Sequence, residues 1–278
     1  MNKEELMTYH LNFHQSFAPE IEAISRIVSL ADSDTGFLTK EEISEKTMIS
    51  TGKRSGKVEP NIYYATAMRL ITFEKLDQKY ECKLTPLGRV VFLEDPYLVE
   101  NISKLLLHAF LADSYSAAKL WSYLFNEFIP KVMPSFNNEL IVNAIERHFS
   151  SNVNLTPFRT CYSSDLSLGD LGLIRLVDKG YELEPHRISR ENVYVYGYVL
   201  LEKWEEVLAD RSEITFNEIT DVLCFGKPFL WGERQMRDAF DLMQDAGLIK
   251  VNAQLSPITI IKNQNSYFCL DKMYSLLI

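Results

Sequence analysis

The sequence contains only four cysteines, and none of them lies close to another. Their spacing gives no C-x-x-C pair and no zinc-finger pattern with the five histidines, so neither a disulfide framework nor a structural zinc site is indicated. No apolar stretch approaches the roughly 18 residues of a membrane-spanning helix, and the acidic start is unlike a secretory signal. We therefore expect a cytoplasmic protein with reduced thiols, no membrane contact, no metal and no cofactor.

Positive charge is also scarce, since 29 Lys and Arg residues stand against 38 Asp and Glu residues, a net charge of −9. Affinity for duplex DNA comes largely from neutralising phosphates with Lys and Arg. The balance therefore argues against broad nonspecific DNA binding, and any nucleic-acid surface must be local. The length of 278 residues and the hydrophobic content of 46% are sufficient for two or three compact domains.

One pattern occurs three times: a helix-like run ends in a Leu-Ile pair that leads into a short strand. The pairs are Leu70-Ile71, Leu173-Ile174 and Leu248-Ile249. A helix that leads in this way into a two-stranded hairpin is typical of a winged helix-turn-helix unit. Capping boxes at Thr39–Glu42 and Thr215–Glu218 place a helix start at similar distances before the first and last pairs. The middle copy lacks such a box, and we interpret it as degenerate.

These patterns predict a mainly α fold with small β-hairpin wings, in which repeated winged helix-turn-helix-like units surround a central helical region. The predicted domains are a winged-helix-like unit at 1–94, the helical region at 95–136, the degenerate unit at 137–188 and a C-terminal winged-helix-like unit at 189–278. The alternation from Thr72 to Thr85 predicts the first wing hairpin. Residues 194–198 alternate Tyr with Val or Gly and leave a strand and a helix start equally open.

A glycine-containing loop from Thr51 to Lys57 carries three cations, Lys53, Arg54 and Lys57, immediately before a predicted helix. Backbone N–H groups and the helix dipole favour an anion at such a place. The glycines are too close together for a Walker A loop, and Lys57 is not followed by Ser or Thr. The loop is the strongest phosphate-contact candidate, with an ordinary solvated loop and a nucleotide or other anion site as alternatives.

Helix-turn-helix proteins read base edges from the start of the recognition helix. Asn61 and Tyr64 are predicted to face outward and to hold these places in the first unit. The corresponding group in the last unit is Lys227, Arg234, Gln235 and Arg237, and Arg and Gln suit guanine and adenine edges. Glu233 and Asp238 lie among them, so pairing of these charges at i, i+4 on an exposed helix face is the slightly favoured alternative.

No arrangement for catalysis is visible in the sequence. The histidines stand without a recognisable ligand set, and His108 lies in an apolar helix, where a hydrogen-bonded core residue is the better interpretation. We find no Ser-His-Asp order, nucleophile elbow or paired carboxylate motif. The expected protein is therefore not an enzyme.

Several segments of the first half resemble the bacterial domain of unknown function 4007 family. They are His14–Phe17, Ile49–Pro60, Ile62–Ala65, Leu84–Gly88, Glu94–Leu98, Leu107-His108, Trp121 and Phe125-Asn126. The resemblance implies a protein encoded beside sulfurtransferase-type or phosphoadenosine-phosphosulfate-reductase-like genes in DNA-modification and phage-defence clusters. It implies no particular activity and no catalytic residues.

The sequence thus leads to the hypothesis of a non-catalytic DNA-binding component of a bacterial DNA-modification or anti-phage defence system. It would contact double-stranded DNA through its winged-helix units and would have protein partners in the same system. Two alternatives remain at this point. The acidic charge favours a protein-interaction adaptor for a modification enzyme, and a transcriptional regulator of the defence operon would use the same fold.

Overall fold

Helices make up most of the regular structure, and short strands lie between groups of them. The computed structural model describes residues 11–52, 55–254 and 256–277. About 50% of the chain is helical and 14% is strand, and the strands form three-stranded sheets. The expectation of a mainly α fold is therefore confirmed only in part, because the architecture is mixed α/β. The chain divides into two compact units between Glu184 and Pro185.

The first unit opens with a three-stranded sheet and four helices. In chain order they are α1 (Ile21–Asp32), β1 (Leu38–Thr39), α2 (Lys40–Thr47), α3 (Val58–Ala67), β2 (Ile71–Leu76), β3 (Lys79–Leu84) and α4 (Pro86–Glu94). Helix α1 buries Ile24, Ile27 and Val28, which recur at the spacing of one helix face. That face packs against α3 and β3.

Helices rich in large apolar residues follow and lead to a second sheet. The elements are α5 (Asn101–Leu111), α6 (Lys119–Tyr123), a π-helical turn (Leu124–Phe128), α7 (Ile129–Val132), β4 (Ser135–Asn137), α8 (Asn138–Phe149), α9 (Thr156–Ser163), a 3-10 turn (Gly169–Leu171), β5 (Ile174–Val177) and β6 (Gly180–Leu183). All but the first residue of α5 are buried, so this helix lies in the interior of the unit.

The second unit is built around α10, the longest described helix at 15 residues. Its elements are a 3-10 turn (Arg190–Asn192), α10 (Val193–Val207), β7 (Glu213–Thr215), a π-helical turn (Glu218–Val222), α11 (Glu233–Asp245), β8 (Ile249–Asn252), β9 (Thr259–Lys262) and α12 (Ser266–Lys272). Residues 194–198 are therefore helical. Within the described ranges, no helix is both long and apolar enough to cross a membrane.

The three sheets share one topology. Their strand orders are β1-β3-β2, β4-β6-β5 and β7-β9-β8, and every pairing is antiparallel. In each sheet a short first strand leads into helical segments, and the other two strands form a hairpin whose second strand lies in the middle. The hairpin predicted at Thr72–Thr85 is confirmed as β2 and β3. The middle copy has this same strand order although it lacks a capping box.

Both predicted capping boxes are present. The Thr39 hydroxyl accepts a hydrogen bond from the Glu42 N–H at 3.2 Å, and the Glu42 carboxylate accepts one from the Thr39 N–H at 2.7 Å. Thr215 and Glu218 repeat this exchange at 3.2 and 2.8 Å. Each exchange satisfies N–H groups at the start of a helical segment that have no acceptor within the helix. The first strand of each of these two sheets ends at the threonine of its capping box.

Aromatic side chains fill the core of the first unit. The Trp121 ring lies 5.6 Å from the Tyr64 ring and 6.0 Å from the Phe158 ring, centroid to centroid. His108 is fully buried, and its Nδ1 lies 3.0 Å from the Tyr162 hydroxyl. The interpretation of His108 as a hydrogen-bonded core residue is confirmed. Because Tyr64 lies on α3, Trp121 on α6 and Phe158 on α9, this core joins the helices of the first two sheets.

The second unit has its own core, in which α10 and α12 pack closely. A Cβ added at Gly197 would lie 2.6 Å from Leu248 Cδ1 and 2.8 Å from Cys269 Sγ, so a larger residue at this point of α10 would require those side chains to shift. Trp231 stacks on Phe229 with ring centroids 4.4 Å apart, and its indole N–H donates to the His186 carbonyl at 2.7 Å. These contacts fix the segment that precedes α11.

Replacing Glu218 with Gln should lower the stability of the second unit by about 1 kcal/mol, the usual size of a helix cap. Hydrogen bonds from Arg211 and from the Thr215 backbone lower the pKa of Glu218 to about 2. Because the folded-state pKa is depressed, this contribution is fully present above the ordinary pKa of 4.5 and is lost as the pH falls towards 2. The thermal unfolding midpoint, followed by circular dichroism from pH 7 to pH 3, measures both effects.

Asp241→Asn removes an exposed carboxylate from α11 and is the control. It should leave the midpoint at pH 7 unchanged. A Glu218→Gln variant with the same midpoint and the same pH dependence as the wild type would contradict the role of the cap.

Candidate nucleic-acid interface

Helix α3 precedes the first hairpin, where a recognition helix is expected. Seven of its ten residues are buried, and the other three, Glu59, Tyr63 and Thr66, are half-buried. The prediction that Asn61 and Tyr64 face outward is wrong, because both side chains are 0% exposed. In this conformation α3 leaves only these three side chains partly exposed.

Hydrogen bonds explain why Asn61 lies inside. Its amide Nδ2 donates to the Lys57 carbonyl at 2.8 Å, and its Oδ1 accepts from the Glu20 N–H at 3.4 Å. A buried amide requires partners of this kind. Asn61 thereby ties the first turn of α3 to the residue before α1.

Tyr64 is held in a similar way. Its hydroxyl donates to the Phe17 carbonyl at 3.1 Å, and its ring meets the rings of Phe13 and Trp121 edge to face at 5.0 and 5.6 Å. Burial raises the pKa of the Tyr64 hydroxyl well above its ordinary value. The segment before α1 and helix α6 both cover α3. Helical spacing in the sequence does not show this, so it predicted an outward Tyr64.

A polar cluster joins α3 to the first hairpin. The Glu59 carboxylate accepts hydrogen bonds from the hydroxyls of Tyr63 and Tyr80 and from the Lys75 ammonium, the last at 2.9 Å. Burial raises the pKa of Glu59, but the donated hydrogen bonds outweigh burial and the net shift is downward. Burial raises the pKa values of Tyr63 and Tyr80. The cluster ties the hairpin to α3. The Tyr63, Tyr80 and Lys75 side chains in it already donate to Glu59.

The basic loop is described only in part. Lys53 and Arg54 lie outside the described residues. Lys57 is described, and its ammonium lies 2.6 Å from the Glu20 carboxylate, with both side chains about one-third exposed. A helix does follow this loop, and it begins at Val58. In the described conformation the charge of Lys57 is balanced by Glu20.

In the second unit, the four predicted contact residues occupy different environments. Lys227 is half-buried, and its ammonium lies 3.4 Å from the Cys224 sulfur. The Gln235 Oε1 accepts a hydrogen bond from the Gly232 N–H at 3.2 Å and so caps α11. Arg237 pairs with Glu233 at 2.6 Å, as the i, i+4 alternative expected, and lies over the Phe216 ring at 5.2 Å. Arg234 is exposed.

Helix α9 precedes the second hairpin and has a different surface. Its inner face, Pro157, Phe158, Cys161 and Tyr162, is buried. Its outer face exposes the hydroxyls of Thr156, Thr160 and Ser163, which lie along one side of the helix at i, i+4 and i+7. No acidic side chain lies on this helix. The outer face of α9 is therefore a hydrogen-bonding surface without acidic side chains, on the helix that precedes the second hairpin.

Basic groups flank this helix in the chain. Residues 147–164 contain Arg147, His148 and Arg159 but no Asp or Glu. Arg159 is used internally, since its Nε donates to the Tyr181 hydroxyl at 2.7 Å and its Nη2 to the Asn138 Oδ1 at 2.8 Å. Arg147 is exposed at the end of α8. The following hairpin exposes Arg175, which pairs with Glu182, and Lys179.

The sequence-based site prediction did not include the α9 surface. The middle copy was set aside because it lacks a capping box, and α8 is instead capped by the Asn137 side chain, which accepts from the Leu140 N–H at 2.8 Å. The sequence does carry a signal for this surface: an acid-free stretch of 18 residues in a chain of net charge −9, with hydroxyls at helical spacing.

The family model described as "Protein of unknown function (DUF4007)" matches residues 12–169, more than half of the chain. The protein belongs to the DUF4007 family. The matched region runs from the segment before α1 through α9, so it contains the α9 surface and ends before the second hairpin. The comparison with curated proteins gave no match.

Two solved structures resemble this DUF4007 protein over most of its length. One is a crystal structure of SspB and the other is a magnesium ion-bound crystal structure of SspB. Their TM-scores are 0.71 and 0.73, and both are 17% identical to this chain, covering 95% of it and 88% of their own chains. At this identity the likeness shows a shared fold. Among residues 11–52, 55–254 and 256–277, no three His, Cys, Asp or Glu side chains are grouped to hold a metal ion.

Tyr64→Phe should destabilise the first unit by about 1 kcal/mol, because it removes one buried hydrogen bond and leaves the Phe17 carbonyl without it. Tyr97→Phe is the matched control, since Tyr97 is 74% exposed and its change should stay within about 0.5 kcal/mol. Chemical unfolding of both variants measures the difference. Equal stability of the two variants would show that the Tyr64 hydroxyl is not a structural group.

Proposed function

We propose that this protein binds duplex DNA through winged-helix domains and that the middle domain supplies the main contact surface. Each sheet combines a short strand, helical segments and a hairpin in the same order, which is the arrangement of winged helix-turn-helix domains. In that arrangement the helix before the hairpin enters the groove. The three candidates for this role are α3, α9 and α11.

The surface of α9 is the observation on which the proposal rests. Helix α3 is covered by protein, as its buried Asn61 and Tyr64 demonstrate. Helix α11 exposes Arg234 and Arg237, but its exposed acids are more numerous: Glu233, Asp238, Asp241 and Asp245. Only α9 combines exposure with the absence of acidic side chains, and phosphate contacts are commonly made by Ser and Thr hydroxyls and by nearby Arg and Lys.

The basic loop has a supporting role in this proposal. Lys53, Arg54 and Lys57 would contact the DNA backbone, and Lys57 would have to leave Glu20 to do so. Exchange of one exposed partner for another costs little, because exposed ion pairs contribute about 0–1 kcal/mol. The loop adds positive charge in an acidic chain, while α9 supplies the groove contact.

The biological setting proposed for this binding is a bacterial DNA-modification or anti-phage system, in which protein components would be further partners. This part rests on the family resemblance alone. The magnesium ion is named only for one similar structure, and the proposal does not depend on a metal ion. DNA binding as proposed uses hydrogen bonds and basic side chains only.

Thr160→Glu should weaken duplex binding by about tenfold, because it places a carboxylate against the phosphates on the α9 surface. Thr160→Gln has the same size without the charge and should retain most of the affinity. Binding is measured by fluorescence anisotropy across a salt series, with modified and unmodified duplexes in parallel. Thermal unfolding of each variant verifies that the fold is intact.

The hairpins provide a second matched pair for the same experiment. Arg175 and Lys250 both lie one residue after the Leu-Ile pair, and both are exposed. Arg175→Glu in the middle hairpin should weaken binding and reduce the salt slope by about one, whereas Lys250→Glu in the last hairpin should not. Combined Lys53→Glu, Arg54→Glu and Lys57→Glu should also weaken binding.

The possible outcomes separate the parts of the proposal. If the combined Lys53, Arg54 and Lys57 variant loses duplex binding but Thr160→Glu does not, the contact surface lies in the first winged-helix-like unit. No binding by the wild type even at low salt would refute the proposed function and favour a protein partner.

The expectation that the protein is not an enzyme has a separate test. Supercoiled plasmid incubated with the purified protein should remain supercoiled, with Mg²⁺ and with EDTA alike, because the proposal includes no bond cleavage. Agarose electrophoresis detects nicked or linear products. Nicking that depends on Mg²⁺ and copurifies with the wild-type protein through a final size-exclusion step would contradict the non-catalytic part and leave the DNA-binding part standing.

A further inference from the structure

The last turn of α4 and the segment that follows it expose three large apolar side chains within seven residues. Leu93 is 68% exposed, Tyr97 74% and Val99 64%. Elsewhere in the described parts of the chain, exposed large hydrophobic residues of this degree occur singly. Exposed apolar side chains that lie this close together in the chain mark an interaction site more often than isolated ones do. We call residues 93–100 the docking loop.

Hydrogen bonds to a buried carboxylate hold the docking loop in one conformation. The Asp95 carboxylate, itself 3% exposed, accepts hydrogen bonds from the Val99 and Glu100 N–H groups, both at 3.0 Å. The Leu98 N–H donates to the Asp95 carbonyl at 3.0 Å, and the Leu98 side chain is buried. Asp95 and Leu98 therefore anchor the loop, so the apolar side chains beside them are displayed without an ordering cost at binding.

The charged residues in this part of the sequence are all acidic. Residues 90–103 include Glu94, Asp95 and Glu100 but no Lys or Arg. The nearest cations in the sequence are paired elsewhere, Arg89 with Asp32 and Lys104 with Asp170. The docking loop thus combines exposed apolar side chains with two exposed carboxylates, Glu94 and Glu100.

We propose that the docking loop binds a partner protein through a segment that combines Lys or Arg with aromatic or aliphatic side chains. Such a segment complements both features, because its apolar groups cover Leu93, Tyr97 and Val99 while its cations face Glu94 and Glu100. A second copy of this chain does not fit, since a two-fold interface would bring these carboxylates together. Nucleic acid is excluded by the same negative charge.

The experiment selects random linear peptides displayed on phage against the full-length wild-type protein. The selected peptides should carry net positive charge and at least one aromatic or aliphatic residue. Affinities of the synthesised peptides are then measured by isothermal calorimetry. Combined Leu93→Ser, Tyr97→Ser and Val99→Ser should weaken them by about tenfold or more, as expected for central interface residues.

A matched control removes equally exposed apolar residues elsewhere. Met48, Leu76 and Tyr267 are 79%, 60% and 70% exposed, and their combined replacement by Ser should leave peptide affinity unchanged. The double variant Glu94→Gln, Glu100→Gln should bind the peptides more weakly and with a smaller salt dependence. The double variant Glu41→Gln, Glu45→Gln on α2 should bind them as the wild type does. A photoreactive phenylalanine analogue in place of Tyr97 should crosslink the peptide.

Three results would overturn the proposal: selection of peptides without positive charge, equal affinity for the docking-loop and control variants, or no crosslink from position 97. The proposal is independent of DNA binding. Peptide binding should be unaffected by Thr160→Glu, and duplex binding should be unaffected by the Ser variants of the docking loop, so the failure of one proposal is distinguishable from the failure of the other.

Discussion

The packing of three segments around Trp121 is the constraint on which the first unit depends. Centroid distances from its ring are 6.4 Å to Phe13, 6.0 Å to His14, 5.6 Å to Tyr64 and 6.0 Å to Phe158. These residues belong to the segment before α1, to α3 and to α9. Buried aromatic pairs of this geometry add to the free energy gained from apolar burial. One indole therefore fixes how the helices of two sheets share a single core.

This shared core gives the two helices different surfaces. Helix α3 is enclosed between the segment before α1 and the central helices, so its polar groups bond to protein atoms such as the Phe17 and Lys57 carbonyls. Helix α9 packs one face on Trp121 and leaves its hydroxyl face in solvent. In the second unit α11 packs separately, and its outer face carries mostly acids. The helix before the hairpin thus has a different surface in each of the three copies.

Local signals predicted much of the fold correctly. The capping boxes at Thr39 and Thr215 depend on residues three apart, so no distant contact is needed to place them. The first hairpin also follows from alternation within its own strands. The candidate site was predicted less well: Asn61 and Tyr64 are buried, Lys53 and Arg54 lie outside the described residues, and the α9 surface was not identified. Exposure depends on which distant segments cover a helix, and a helical pattern does not contain that information.

The sequence by itself determined the starts of the capped helices, the first hairpin, the threefold Leu-Ile pattern and the acidic balance of the chain. Each of these depends on neighbouring residues or on composition. Only the tertiary structure decided that the middle copy has the same strand order as the others, that α3 is enclosed, and that Asp95 holds Tyr97 and Val99 in an exposed loop. Those features arise from packing and hydrogen bonds between separate segments, whose free energies are set by the contacts of the folded chain.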